Sequence, residues 1–241
     1  MGMPITLEVS DLFVTEEIFN DVFDYFDYVD KKFSTYKDNS EITRINNGQL
    51  KEKDYSQDMK EVFVLCEETK KLTDGYFDIK FENGKYDPSG LVKGWAINNA
   101  AKLLKKDGFN NFYVDAGGDI EVSGKNSLGQ DWRVGIKNPF NQEEIIKVVG
   151  ISGAGIATSG TYIRGQHIYN PHKAGRLITE IVSLTVIGPN IYEADRFATA
   201  AFVMGEKGIN FIENLKGFEG YMIDKNGVAT MTNGFKDYVI E

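Results

Sequence analysis

Phe112-Tyr113-Val114-Asp115-Ala116-Gly117-Gly118-Asp119-Ile120-Glu121-Val122 is the stretch on which the fold hangs. A short strand runs into paired glycines and leaves as a second strand. Such glycines permit positive φ and close approach of a ligand, but hairpins use them as well. The spacing is not G-x-G-x-x-G, and no helix follows, which excludes a Rossmann phosphate loop. From Ile120 to Ile187 the chain reads as β-rich: Ile120-Glu121-Val122, Trp132 to Ile136, Ile145 to Ile151, Gly155 to Ser159 and Ile181 to Ile187. A helix is predicted on either side of this block.

Upstream, Ile5, Leu7 and Val9 alternate with polar residues as a half-buried strand does. Thr15 opens a helix carrying Ile18, Val22, Phe23, Phe26, Val29 and Phe33 at helical spacing, with Glu16 and Glu17 suited to its dipole. A polar turn and a short helix to Asn46 follow. Ser56 to Thr73 is amphipathic through Met59, Val62, Phe63, Leu65, Cys66 and Leu72. Another helix starts after Gly90 and runs to Lys106, closed by Asp107-Gly108. Downstream, Ala194 to Met204 and Gly208 to Leu215 read as helices, and Gly220 to Thr230 as a hairpin. Helices and strands are interspersed without regular alternation, repeat or linker. The expectation is an α+β fold, one interlocked domain over residues 1–241 with mixed β-sheets and flanking helices.

Composition narrows the function. The 241 residues carry 27 Lys+Arg against 36 Asp+Glu, a net charge of −9. That surplus argues against a nucleic-acid backbone or an anionic membrane as main partner. Cys66 is the only cysteine and lies in an apolar run, which points to a buried core thiol rather than a reactive one. Two histidines, His167 and His172, are too few for a multi-histidine metal centre. No run of apolar residues is long enough to span a membrane, so no transmembrane segment is expected. The N-terminus lacks a basic segment followed by an apolar one, so the chain as given is expected to be cytoplasmic, with an exported or lipoprotein form the alternative if the sequence has been trimmed.

Several segments could carry chemistry. Asp195 and Thr199 are four apart on a predicted helix, so their oxygens share a face. That pair of hard oxygens suits Mg²⁺, but equally Asp195 could pair with a lysine and Thr199 bond back to the carbonyl of residue 195. Asp87-Pro88-Ser89-Gly90 delivers the chain into a helix whose free N–H groups favour an anion, and Lys93 places a cation in its first turn. An ordinary Asp-Pro turn with Lys93 in solvent is the plainer alternative. Ala157-Thr158-Ser159-Gly160 and Gln166-His167-Ile168-Tyr169-Asn170-Pro171 sit at predicted strand ends, where functional loops concentrate. His167 fits a base, an anion ligand or a packing residue. Asp119 is open between a structural role and one facing a partner.

Taken in order, these segments resemble the ApbE family of FAD:protein FMN transferases. The likeness rests on Ser34-Thr35-Tyr36, Ser40-Glu41-Ile42, Arg44-Ile45-Asn46, Gly75-Tyr76-Phe77-Asp78 and Asp87 to Gly94. It continues through Ala116-Gly117-Gly118-Asp119-Ile120, Ala157 to Gly160, His167 to Pro171 and Ala194 to Ala200, covering nearly the whole chain. Asn170 stands where the family commonly has Asp, and Ile79 where it commonly has Pro. The resemblance implies a Mg²⁺-dependent transferase that splits the FAD pyrophosphate and attaches FMN to a Ser or Thr of a target flavoprotein, releasing AMP. It implies Mg²⁺ ligands at Asp195, Thr199 and the Gly90 carbonyl. FAD binding would fall to Met1, Tyr36, Tyr76, Phe77, Asp78, Asp87, Lys93, Gly117, Thr158 and His167. Catalytic work would fall to His167, Lys93 and Asp195. The same residues would also serve a FAD pyrophosphatase giving FMN and AMP, or a non-catalytic FAD-binding protein.

Overall fold

The computed structural model describes residues 2–161, 170–172 and 178–240. Strand β1 (Ile5–Val9) turns Ile5, Leu7 and Val9 inward and pairs antiparallel with β2 (Phe112–Ala116). Gly117 and Gly118, at φ +66° and +94°, reverse the chain into β3 (Asp119–Ser123). The sheet then grows through β6 (Ala154–Gly160), β7 (Ile181–Gly188), β8 (Glu219–Asp224) and β9 (Ala229–Met231) into seven antiparallel strands. A separate two-stranded ribbon, β4 (Trp132–Asn138) with β5 (Asn141–Ile151), covers one face. The α+β expectation is met.

The helices cover the other face: α1 (Glu16–Phe33), α2 (Glu41–Asn46), α3 (Gln57–Leu72), α4 (Ser89–Lys106), α5 (Ile191–Val203) and α6 (Gly208–Glu213). Successive strand residues therefore bury on opposite sides. Ile120, Val122, Ile187, Tyr221 and Ile223 meet the ribbon, whereas Ala157, Leu184, Val186 and Met222 meet the helices. In α1 the buried stripe is Ile18, Val22, Phe26, Val29 and Phe33, each side chain worth about 1.5–3 kcal/mol when removed from water. Cys66 is buried in the same layer and its thiol pKa is raised by burial, as a core residue's would be.

Among the boundaries that differ from the sequence expectation, three bear on the packing. Helix α5 begins at Ile191 rather than Ala194, because the Asn190 side chain caps it by accepting the Glu193 N–H at 3.0 Å. Helix α4 begins at Ser89 rather than after Gly90, which moves Lys93 from the first turn to the second. Strand β5 extends back to Asn141, with irregular register opposite Ile136 to Asn138. Leu72, expected on the apolar face of α3, is mostly exposed.

Helix α5 is wedged between α4 and the sheet. A Cβ on Gly155 would fall 2.0 Å from the Ile191 nitrogen, and one on Gly94 would fall 2.7 Å from the Asp195 Cβ. Ala194, Ala198 and Ala201 are fully buried along the same helix, so small residues set the spacing throughout. On β3, Asp119 and Glu121 share the face turned toward the helices. Glu121 Oε2 accepts the Ile191 N–H at 2.6 Å and so caps α5 from the sheet. Burial nevertheless raises the Glu121 pKa from 4.5 to about 7, against the pull of that hydrogen bond and of Lys105 and Lys102.

Two outcomes follow from this packing. Gly155→Ala is expected to cost at least about 3 kcal/mol, because the obstacle is backbone, and to lower Tm by about 6–12 °C in a thermal melt; an unchanged Tm would refute the wedge. Between pH 4.5 and 7 the native state holds a proton on Glu121 that the unfolded chain has released, so stability falls as pH rises through that window. Glu121→Gln keeps the acceptor for Ile191 and removes the charge. Denaturant titrations should show the variant gaining about 3 kcal/mol on wild type between pH 4.5 and pH 8.

Candidate functional site

The contact between α4 and α5 brings one carboxylate, one hydroxyl and one carbonyl together. Asp195 Oδ2 accepts the Gly94 N–H at 2.8 Å. In a helix that N–H is directed at the carbonyl four residues back, which is Gly90. Asp195 and the Gly90 carbonyl thus compete for one donor, leaving acceptor capacity on the carbonyl. One turn along α5, Thr199 Oγ1 lies 3.4 Å from the Gly90 oxygen and 3.5 Å from Ser159 Oγ on β6. Its partners come from other elements, not from the carbonyl of residue 195.

Charge is concentrated at the same point. Asp195 is 3 % exposed and Asp119 2 %. Lys93 Nζ lies 2.5 Å from Asp119 Oδ2 and 3.9 Å from Asp195 Oδ1. The Lys93 side chain keeps about a fifth of its surface exposed, so its ammonium reaches the edge of the site. Asp119 Oδ1 accepts the Thr158 N–H at 3.2 Å, while Oδ2 takes no hydrogen bond of ordinary geometry among the described residues. The Asp195 pKa is raised by burial; Lys93 pulls it back and the neighbouring Asp119 pushes it further up. Two buried carboxylates share one lysine here.

This arrangement fits a hard divalent cation. Among the described residues no three His, Cys, Asp or Glu side chains converge on a metal position. The donors are oxygens only, the chemistry that Mg²⁺ selects. Neighbouring ligands in a Mg²⁺ octahedron stand about 3.0 Å apart, and the Gly90 and Thr199 oxygens need close by only a few tenths of an ångström.

The other expected residues divide. Phe77 is buried, and its ring edge would lie 3.4 Å from a Cβ on Gly90, so it supports the start of α4 from below. Asp87 Oδ1 accepts the Ser89 N–H at 3.0 Å, an Asx turn leading into α4. Asp78 is ion-paired with Lys70 at 2.7 Å. Tyr76 packs edge-on against His172, with ring centroids 4.6 Å apart. Tyr36 is 97 % exposed. Gly117 takes the Pro4 carbonyl at 3.0 Å and abuts Met3. Thr158 Oγ1 bonds Thr185 Oγ1 at 2.8 Å. Met1 and His167 lie outside the described residues. The contact of Asp119 with Lys93 and the approach of Ser159 to Thr199 escaped the sequence. The alternation Asp119-x-Glu121 in an otherwise apolar strand was the available signal for the first of these.

The model of the ApbE family matches residues 1–84 and 80–222. The FAD:protein FMN transferase of Escherichia coli K12 is 32 % identical over 166 residues, which is 64 % of this chain and 47 % of that protein. The protein of the same name from Treponema pallidum is 26 % identical over 171 residues, again 64 % and 47 %. The chain therefore spans about half the length of the curated relatives it matches. Among solved structures, the flavin transferase ApbE from Vibrio cholerae superposes with a TM-score of 0.86 over 99 % of this chain and 96 % of its own, at 22 % identity. The ApbE protein from Thermotoga maritima gives 0.87 over 100 % and 97 %, at 21 % identity. Those likenesses establish the fold, and the family match over almost the whole chain establishes the rest: this chain belongs to the ApbE family.

Proposed function

We propose that this protein is a Mg²⁺-dependent FAD:protein FMN transferase, which breaks the FAD pyrophosphate, attaches FMN through a phosphoester to a Ser or Thr of a target flavoprotein, and releases AMP. The observation that carries the reading is the meeting of the Gly90 carbonyl, Asp195 and Thr199 beside Lys93. Phosphoryl transfer asks mainly for positioning and charge neutralisation. A bound Mg²⁺ would neutralise phosphate oxygens and orient the scissile bond. Gly90, Asp195 and Thr199 would hold it, and Asp119 keeps the Lys93 ammonium next to them. Lys93 is the cation placed to meet a phosphate. Asp87, Tyr36, Tyr76, Phe77, Asp78, Gly117 and Thr158 are assigned to FAD binding by family resemblance, Met1 and His167 likewise, and His167 to acid/base or orienting work. Residues 1–241 are read as one domain, since a single sheet joins β1 near the start of the chain to β9 near its end.

Mass spectrometry of a mixture of this protein, FAD, Mg²⁺ and an acceptor domain should show the acceptor heavier by one FMN residue. Free FMN and AMP beside an unmodified acceptor would mean hydrolysis instead. Asp195→Ala should lower Mg²⁺-dependent AMP release about a hundredfold or more, with the secondary structure retained by circular dichroism but melting at a lower temperature, because the bond to the Gly94 N–H is lost. Full activity in that variant would remove the metal assignment. Thr199→Val, which keeps the shape, should raise the Mg²⁺ concentration for half-maximal rate about tenfold.

A further inference from the structure

The segment Ser40 to Asn46 was singled out by the sequence, yet no step of the chemistry uses it. It forms α2, a helix of six residues with a polar clamp at each end. At its start Glu41 accepts the Ser56 N–H and the Ser56 hydroxyl, both at 2.7 Å, where α3 begins. At its end the Asn46 carboxamide donates to the Tyr86 carbonyl at 2.8 Å and accepts the Tyr86 N–H at 2.8 Å. One orientation of the carboxamide satisfies both bonds, so the pair imitates a β-bridge between segments 40 residues apart. Tyr86 is followed at once by Asp87, whose N–H donates to the Ile79 carbonyl at 2.8 Å. Pro88 and Ser89 then lead into Gly90, the Pro88 carbonyl accepting the Leu91 and Val92 N–H groups at 3.0 and 2.9 Å as α4 begins.

We infer that Asn46 is a positioning residue: it holds the backbone at Tyr86, and through it sets where Asp87 and the Gly90 carbonyl stand relative to Asp195 and Thr199. The inference rests on the reading that Asp87 and Gly90 belong to the FAD and Mg²⁺ site. A side chain is suited to this work because Tyr86 stands opposite Lys80 in an antiparallel bridge whose hydrogen bonds use its neighbours Lys85 and Asp87, so that its own N–H and carbonyl face away and are taken by Asn46. The Asn46 carboxamide bonds Tyr86 rather than Gly90, Asp195 or Thr199. Its loss acts on geometry alone, and misplacement of ligating groups weakens metal binding about 10–100-fold.

The experiment compares wild type, Asn46→Ala, Asn46→Asp and Asp195→Ala, using Mn²⁺ alone as the spectroscopic probe. Mn²⁺ affinity is read by electron paramagnetic resonance, and amide exchange over residues 84–91 by mass spectrometry. Asn46→Ala should bind Mn²⁺ about tenfold more weakly and exchange faster over 84–91 than elsewhere in the chain. Asn46→Asp keeps the acceptor and loses the donor, so it should fall between; if Asn46→Ala does not fold, this variant decides by the same criterion. Faster exchange with Mn²⁺ affinity unchanged means a merely structural role and overturns the inference, as does no change in either. Asp195→Ala separates the two failures. If it loses Mn²⁺ while the Asn46 variants keep it, only the inference about Asn46 falls; if it binds Mn²⁺ as wild type does, the site reading falls and takes the inference with it.

Discussion

The bond from the Gly94 N–H to the Asp195 carboxylate is the constraint around which the helical layer is organised. It joins two buried helices through a charged group, and a charge taken out of water is tolerated only when polar partners replace the lost hydration. Those partners must be close, so the residue opposite Asp195 has to lack a side chain. Gly94 meets that demand in α4, and Gly155 does the same beneath the first turn of α5. Once the helices stand at this spacing, Thr199 has no choice but to face the Gly90 carbonyl. The packing and the candidate site are therefore one arrangement. A residue that widened the gap would unload the core and separate the oxygens together.

Strand β3 supplies the second half of that arrangement. Its residues alternate between faces, so Asp119 and Glu121 both rise toward α4 and α5 while Ile120 and Val122 fill the opposite core. The two carboxylates do different work. Glu121 closes the helix N-terminus and stays among backbone groups. Asp119 faces Lys93 and draws the ammonium into the space beside Asp195. Burying carboxylates this way costs stability, as the raised pKa of Glu121 records. An ordinary core position would hold an apolar residue there. Keeping an ionisable group at both positions, where an apolar side chain would be the more stable choice, is what the proposed site would ask for if polar preorganisation matters more than the last increment of stability.

Local pattern made most of the fold legible in the sequence. The 3.6-residue stripe of α1, the alternation of β1 and the Gly117-Gly118 reversal each follow from a few neighbouring residues. One boundary was missed because a cap sets it: Asn190 starts α5 three residues early, and its side chain, not the apolar period, decides that. Asp195 and Thr199 could be placed on one helical face from spacing alone. What lay opposite them could not, because Gly90, Ser159 and Asp119 arrive from three other elements. The order of the motifs supplied Gly90 through family resemblance. Nothing local in the sequence distinguishes Asn46, whose partner is 40 residues away.

On the proposed reading, charge counting shows how an acidic protein could serve an anionic substrate and what a hydroxyl at position 199 would contribute. With both carboxylates ionised, Asp119, Asp195 and Lys93 leave the site formally one charge negative, which would repel a pyrophosphate. A divalent cation would reverse that sign to one positive charge, so that a doubly negative pyrophosphate would be attracted and would return the assembly only to its starting charge of one negative. A carboxylate in place of Thr199 would spoil the balance: the site would bind the cation more tightly but stay neutral once loaded, with no net attraction left for the phosphates. Thr199 adds a hard oxygen without adding charge. The neutral carbonyl of Gly90 does the same from the other helix. As proposed, the donor set would combine enough negative charge to hold a cation with enough neutral oxygen to leave its positive charge unspent.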